Sequence, residues 1–326
     1  MTTQRKVVAV TGSSGYIGAK LLDHLEETPG LGKLVIFDTQ PMAAPIHNIA
    51  AYRRDVADPI DEELNLHRVS TLVHLAFARR TSPNRRDGAI ASEQNGRMLH
   101  NIMEACIRAN IGHLVYLSSH TVYGARASNP LPIGEDFPLT PAPGFQYANE
   151  HCRAEQVLTE FSQATPDLKL TIFRCPPVLG TMAGMNLLRE FYFPGPLGAY
   201  DYNPPLQFVY DDDLARILCL AITQELPGVF NVAGEGVVFL RELDEELAAR
   251  QFLLPSYLAR PLNRLAGGGF TYADHNLTRW PVIMSPARLH RATGYRFRHT
   301  AREAVAAFAN SNGEVDWRLR KKVEIR

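Results

Sequence analysis

Through the first half of the chain, short β-branched or apolar runs alternate with stretches of helical period. The runs at residues 7–10, 34–37, 71–75, 113–117 and 170–173 read as strands. Strands separated by helical stretches need crossover connections, so they predict a parallel sheet covered on both faces. Between the third and fourth runs, Met98, Leu99, Ile102, Met103, Cys106 and Ala109 recur at helical spacing and predict a helix with one buried stripe. From Cys175 the texture changes: Pro176, Pro177, Pro194, Pro196, Pro204 and Pro205, with several glycines, break regular structure. A helix over 212–222 and a strand over 229–232 then return to the sheet. The chain therefore reads as two lobes. The first takes residues 1–175 with 207–235, a smaller discontinuous lobe takes 176–206 with 236–310, and 311–326 form a tail ending in Arg318, Arg320, Lys321, Lys322 and Arg326. No internal repeat or low-complexity tract interrupts this plan.

A length of 326 residues suits one large or two modest domains and exceeds what a sizeable core requires. With 45% hydrophobic and 21% charged residues, the composition argues against disorder and against a fibrous array. Lys plus Arg and Asp plus Glu each total 34, so no long-range field draws the protein to nucleic acid or to an acidic membrane. Cys106, Cys152, Cys175 and Cys219 stand apart without a C-x-x-C pair, which reads as reduced core filling in a cytosolic protein. Residues 1–6 pass straight into the first strand, leaving no room for a signal peptide, and no apolar run is long enough to span a bilayer. The expected partner is a small-molecule substrate, in the cytoplasm, with no nucleic acid and no membrane.

Directly after the first strand stands Thr11-Gly12-Ser13-Ser14-Gly15-Tyr16-Ile17-Gly18, followed by helical spacing through Leu21, Leu22 and Leu25. Glycines there permit a tight turn and close backbone approach, and a helix N-terminus offers its N–H groups to a pyrophosphate. Asp38 follows twenty residues after Gly18, at the end of the second strand. A carboxylate in that place accepts hydrogen bonds from adenosine ribose hydroxyls and repels a 2′-phosphate. No Arg or Lys occurs in the next ten residues, so NAD is the expected cofactor rather than NADP.

Beyond the fourth strand run stand Ser118-Ser119-His120-Thr121-Val122-Tyr123-Gly124, and Tyr147 opens a helix after a proline-rich loop. A hydroxyl at a strand end and a tyrosine at the start of the next helix can converge on one substrate oxygen beyond the carboxyl edge of the sheet. At these residues the sequence resembles the extended short-chain dehydrogenase/reductase family, which includes NAD-dependent sugar epimerases and dehydratases. The resemblance covers about residues 6–305. It extends through Asp55-Val56, His74-Leu75-Ala76-Phe77, Asn95 and Gly96, the R-x-x-x-V-x-G pattern at 174–180, the F-V-x-V-D-D-like segment at 208–212 and G-x-x-N-V at 228–232.

The resemblance implies an α/β fold, a doubly wound parallel-sheet Rossmann domain with a smaller discontinuous α+β substrate lobe. It implies NAD contacts from Gly12, Gly15, Tyr16, Ile17 and Gly18, from Asp38, from Asp55 and Val56 at the adenine, and from Leu75, Ala76, Tyr147, His151 and Pro176. Counting back from Val122-Tyr123-Gly124 places the active hydroxyl at Ser119. In the implied chemistry Tyr147 moves a proton on or off a substrate hydroxyl while a hydride passes to or from nicotinamide C4, and Ser119 hydrogen-bonds the same oxygen. Relatives dimerise through helices matching residues 93–109 and 147–164, so a homodimer is expected.

One departure bears on the chemistry. A tyrosine's ordinary pKa is about 10, so poising it near pH 7 takes about 4 kcal/mol of phenolate stabilisation. The family supplies much of it with a lysine in Y-x-x-x-K, whereas here Tyr147-Ala148-Asn149-Glu150-His151 puts His151 in the lysine's place, with Ala154 and Glu155 holding the register. A histidine is mostly neutral at pH 7 and carries less of that field. Slower or more alkaline chemistry, a rearranged proton path, or an NAD-binding sensor or scaffold without catalysis would each follow.

Arg79, Arg80, Arg85 and Arg86 lie after the third strand, where they can clamp a phosphate or carboxylate or simply form a solvated loop. Asp211-Asp212-Asp213 reads as a helix cap rather than a metal site, and His74, His100, His113 and His120 form no metal-ligand pattern on any one helix. Trp280, Tyr272 and Phe270 suit a pocket or a core equally. Residues 174–180 lack the Asn that holds a nucleotide-sugar pyrophosphate in sugar-nucleotide epimerases, and their R-x-P form resembles relatives acting on a discrete carbonyl or alcohol, while the length and the segment 237–248 suit epimerases too. The expected function is an NAD-dependent oxidoreductase or epimerase acting on a sugar-like or other hydroxyl-bearing small molecule.

Overall fold

Val8 and Val10 pack in one core and Ala9 in another, and none of the three touches solvent. They belong to a strand covered on both faces, which is why its sequence is apolar at successive positions. The computed structural model describes residues 5–41, 47–79, 85–181, 183, 188, 191–192, 197–247, 252–265 and 276–312. Its strands begin with β1 (Lys6–Thr11), β2 (Leu31–Asp38), β3 (Ile49–Arg53), β4 (Thr71–His74), β5 (His113–Ser119) and β6 (Lys169–Cys175). They continue with β7 (Val178–Leu179), β8 (Leu197–Ala199), β9 (Pro205–Leu206), β10 (Val209–Tyr210), β11 (Gly228–Asn231), β12 (Val238–Phe239) and β13 (Phe252–Leu254). Seven of them form one parallel sheet in the order β3-β2-β1-β4-β5-β6-β11. The order reverses beside β1, where Thr11 stands between Phe37 of β2 and His74 of β4. Loops leaving a sheet in opposite directions at such a point open a crevice at its carboxyl edge.

The helices that cover the sheet divide by face. On one face α1 (Tyr16–Glu26) contributes Leu21, Leu22 and Leu25, and a helix spanning Asp211–Gln224 contributes Leu214, Ile217, Leu218 and Ile222. The other face carries α2 (Asp61–His67) with Leu64, α3 (Arg85–Arg108) with Met98, Ile102 and Cys106, and α4 (Gln146–Ala164) with Ala154 and Leu158. Each fully buried Leu or Ile contributes about 1.5–3 kcal/mol, so both faces hold the sheet in register. A third core lies under the short strand pairs β7-β10 and β9-β12 and joins Tyr123, Ile133 and Phe145 to Leu206, Phe208, Met284 and Phe308, while β8 pairs with β13 apart from it. Trp280 packs against this core, while Tyr272, Phe270 and the basic residues from Arg318 onward fall outside the described residues.

Two expectations change. β3 adds a strand that the hydrophobic pattern does not predict, because it is an edge strand whose residues are all at least partly exposed. Asp211, Asp212 and Asp213 do not cap their helix; the N-cap is Tyr210, with no side-chain bond. Their carboxylates reach outward instead. Asp211 accepts from the Tyr16 hydroxyl at 2.7 Å, Asp212 pairs with His24 and Arg216, and Asp213 accepts from the Arg298 and His299 amides at 2.9 and 3.1 Å. All three still complement the positive end of the helix.

At the carboxyl edge of β6 a buried guanidinium gathers several elements. Arg174 Nε donates to both Glu155 carboxylate oxygens at 3.1 and 3.0 Å, and Nη2 donates to Oε2 at 2.6 Å. Its Nη1 donates to the Tyr123 hydroxyl and the Glu135 carbonyl, each at 2.8 Å, and Tyr123 donates on to Asn231 of β11 at 2.7 Å. Removing one partner of such a pair strands the other charge in the interior, so Glu155→Ala is expected to lower the unfolding free energy by about 3–5 kcal/mol. Urea denaturation of the variant checks this, and a loss below about 1 kcal/mol would contradict it.

His74, His113 and His120 are also buried, and burial pushes each imidazole down to about 4. His74 hydrogen-bonds Thr11 Oγ1 at 2.8 Å and His113 hydrogen-bonds Thr171 Oγ1 at 2.8 Å. Below the ordinary histidine pKa of about 6.5 the unfolded chain therefore binds protons that the folded chain refuses, and stability rises with pH. Between about pH 6.5 and 4 stability is expected to fall as pH falls, each of the three histidines contributing on the order of 2 kcal/mol by pH 5. Urea midpoints across that window test it; a flat profile would refute it.

Candidate active site

The turn after β1 is built from positions where only hydrogen fits. Gly12 has φ +71°, and a Cβ there would lie 2.7 Å from the Ala76 amide nitrogen. A Cβ on Gly18 would strike the Gly12 carbonyl and lie 2.8 Å from Ser13 Cα. The start of α1 has no side-chain cap at Gly15, so its first amides are left for a ligand. This is a cradle that side chains would fill, and it fits a pyrophosphate.

Asp38 ends β2 beside that turn. Its carboxylate accepts from the Ser14 amide at 2.8 Å and the Gln40 amide at 2.9 Å, which anchors the loop and fixes the carboxylate's direction. Strand pairing sets Arg53 of β3 opposite Asp38, with Nε donating to the Thr39 carbonyl at 3.1 Å. Only the register brings this arginine there, since it follows Asp38 by fifteen residues. Asp55 accepts from the Ala57 amide at 2.9 Å and from Gln94 of α3 at 3.0 Å, and Val56 is buried in the core with Phe37.

A cavity of about 420 Å³ lies at the carboxyl edge. It brings together Gly12, Gly15, Tyr16, Ile17 and Gly18 with Leu75, Ser119, Tyr147, His151 and Pro176. Asp38, Asp55, Val56 and Ala76 do not line it, although Ala76 abuts Gly12. Phe77, Arg79, Leu117 and Phe191 complete much of its wall.

The two candidate serines differ in their bonds. Ser118 donates to Glu155 and is thereby committed to the buried Arg174 network. Ser119 Oγ accepts from the Thr121 amide at 3.2 Å and the Thr121 hydroxyl at 3.0 Å, so it caps the turn His120–Tyr123 and keeps its own proton to donate. His120 Nδ1 is 3.5 Å from the same oxygen.

Tyr147 is half-buried at the start of α4 among aromatic rings. Phe77, Phe191 and His151 have ring centroids 5.3, 5.6 and 4.5 Å from its own. The Arg79 guanidinium carbon lies 5.7 Å from the centre of the Tyr147 ring. Arg80 and the side chain of Arg85 lie outside the described residues.

His151 sits one turn along α4, stacked on Phe77 at 4.5 Å and an interplanar angle of 9°. Burial first, then the positive charge of Arg79, push its imidazole down to about 3. It is therefore neutral through the physiological range. Tyr116 of β5 approaches Nδ1 at 2.8 Å, and burial together with the Glu155 charge keeps that phenol well above its ordinary range. In the tautomer with its proton on Nε2, the neutral ring accepts the Tyr116 hydroxyl at Nδ1. That Nε2 is buried and has no hydrogen-bond partner among the described residues, which suits a donor held for a ligand hydroxyl. Sequence spacing finds His151 but not Tyr116, whose inward face follows from the pairing of β5.

Among the described residues, no group of three His, Cys, Asp or Glu side chains is placed to hold a metal ion, and no helix is long and apolar enough to cross a membrane.

A family model for the NAD-dependent epimerase/dehydratase family matches residues 8–233. An uncharacterized protein of Mycobacterium tuberculosis is 23% identical over 321 residues, covering 94% of this chain and 84% of that protein. The UDP-glucose 4-epimerase of Yersinia pestis is 30% identical over 181 residues, which is 51% of this chain and 52% of that enzyme. Among solved structures, the Thermus thermophilus UDP-glucose 4-epimerase in complex with NAD matches with a TM-score of 0.72 at 20% identity, covering 95% of this chain and 100% of that chain. The structural likeness shows the shared fold. The family match takes in the glycine cradle, Asp38, Ser119, Tyr147 and five more strands of the sheet, and with it the chain belongs to the NAD-dependent epimerase/dehydratase family.

Proposed function

We propose that the protein is an NAD-dependent oxidoreductase or epimerase acting on a sugar-like or other hydroxyl-bearing small molecule. The observation that carries this reading is the meeting of Ser119, Tyr147 and His151 with the glycine cradle in one cavity. NAD, when bound, supplies a hydride acceptor and donor at nicotinamide C4. The amides that open α1 hold its pyrophosphate, with Gly12 and Gly18 allowing the approach. Asp38 accepts from the adenosine ribose. Ser119 donates to the substrate oxygen, and Tyr147 takes the proton of the substrate hydroxyl during oxidation and returns it during reduction. His151 donates from Nε2 to a ribose hydroxyl of the cofactor. Phe77, Leu117, Pro176 and Phe191 exclude water from the reacting carbon. The same reading keeps a dimer through α3 and α4, which pack on each other and leave Ile90 and Ile107 of α3 in solvent.

A second reading is an NAD-binding sensor without turnover, favoured by the neutral His151 where relatives carry a lysine. Two measurements separate the readings. Gly18→Ala is expected to weaken NAD binding at least about tenfold, because the added methyl must displace backbone at the pyrophosphate turn. Titration calorimetry checks it, and unchanged affinity would remove the cradle from the cofactor site. Tyr147→Phe is expected to lower turnover by about 10²–10⁴ with NAD affinity nearly unchanged. Assays of alcohols and nucleotide sugars for cofactor reduction or substrate exchange report this. Turnover that survives the change would dismiss Tyr147 as acid/base, and NAD binding by the wild type without any turnover would favour the sensor.

A further inference from the structure

The lysine of Y-x-x-x-K brings a positive charge to the tyrosine from one helical turn away, and His151 brings none. Neutrality at that position leaves the phenol in need of another cation if it is to ionise near neutral pH. The surroundings of Tyr147 contain one on a different element. Among the described residues that line the cavity, Arg79 is the sole permanently charged side chain. It sits in the loop after β4, with its guanidinium 5.7 Å from the Tyr147 ring centre.

We propose that Arg79 supplies, from the loop after β4, the positive charge beside the Tyr147 phenol that a lysine on α4 supplies in relatives. This rests on the reading of Tyr147 as acid/base and makes Arg79 a positioning residue that acts through it.

The other titratable groups on α4 and on the strands β4 and β5 beneath it do not take that role. On α4, Glu150 accepts from Gln146 at 2.6 Å and also from Asn95, and contributes a negative charge that opposes ionisation of the phenol. Glu155 is balanced by Arg174. Cys152 is pushed up to about 12 by burial, and burial likewise raises Tyr116 and Tyr192, so all three stay uncharged. His74 and His151 are held neutral by burial. The field of Arg79 already reaches this stripe of α4, since it helps keep the proton off His151. One guanidinium thus favours neutral imidazole and ionised phenol together, the pairing in which the phenol can accept a proton. Arg79 is partly in solvent, so its effect is screened by salt, unlike that of a buried lysine.

The test compares wild type with Arg79→Gln, Arg79→Lys and Tyr147→Phe. Two readouts are taken: turnover against pH, and the ultraviolet phenolate titration with Tyr147→Phe subtracted to isolate the one phenol, the latter recorded with and without NAD. Arg79→Gln is expected to move both the ascending limb of the rate profile and the phenolate transition upward by about one pH unit, with activity recovering at alkaline pH. Arg79→Lys is expected to restore most of the shift, and raising the salt concentration should narrow the gap between wild type and Arg79→Gln. An unmoved limb and an unmoved phenolate transition in Arg79→Gln would overturn the proposal. A higher KM with both unmoved would overturn it too, and would make Arg79 a clamp for a substrate anion. Full activity in Tyr147→Phe would instead bring down the reading beneath it, an outcome separate from either.

Discussion

The buried guanidinium of Arg174 is the contact through which the sheet and α4 are held together. Its donors are shared between Glu155 of α4, the Tyr123 hydroxyl and the Glu135 carbonyl, and Tyr123 passes the connection to Asn231 of β11. A guanidinium suits this position because its planar fork satisfies a carboxylate bidentately and still has donors to spare. Glu155, His151 and Tyr147 follow one another at intervals of four along α4 and so share a face. Anchoring Glu155 to β6 therefore sets the angle at which the whole stripe meets the crevice. The same pair also commits Ser118, leaving Ser119 with a proton to donate.

Around this anchor the site is arranged by exclusion of charge. Burial keeps His74, His120 and His151 neutral and Tyr116 protonated, and the aromatic rings of Phe77 and Phe191 enclose Tyr147. In such surroundings a single nearby cation has more leverage than it would in water. A buried histidine in the lysine's place removes the cation from the helix but keeps a ring nitrogen, Nε2, that has no hydrogen-bond partner among the described residues. The two jobs of one lysine, donor and charge, are thereby separable onto different residues.

The positions of the inner strands were legible because a sheet buried on both faces leaves nearly unbroken apolar runs, as at Val8, Ala9 and Val10 or at Leu34 through Phe37. β3 was not legible, since an edge strand buries too little to leave a pattern. The acidic run at Asp211 to Asp213 looked like a cap and serves as three separate tethers, because local spacing says nothing of the amides and hydroxyls that other segments bring near.

By itself the sequence determined the glycine turn, the acidic residue that ends β2, the Ser119 and Tyr147 pair and the exchange of lysine for His151. Each is set by residue type at a short spacing, and short spacings survive folding unchanged. Only the tertiary structure decided that Tyr116 orients His151, that Arg53 stands beside Asp38 and that Arg79 comes over Tyr147. These neighbours are separated along the chain and meet through strand register and the crevice beside β1, so their contact energies depend on distances that no linear spacing encodes.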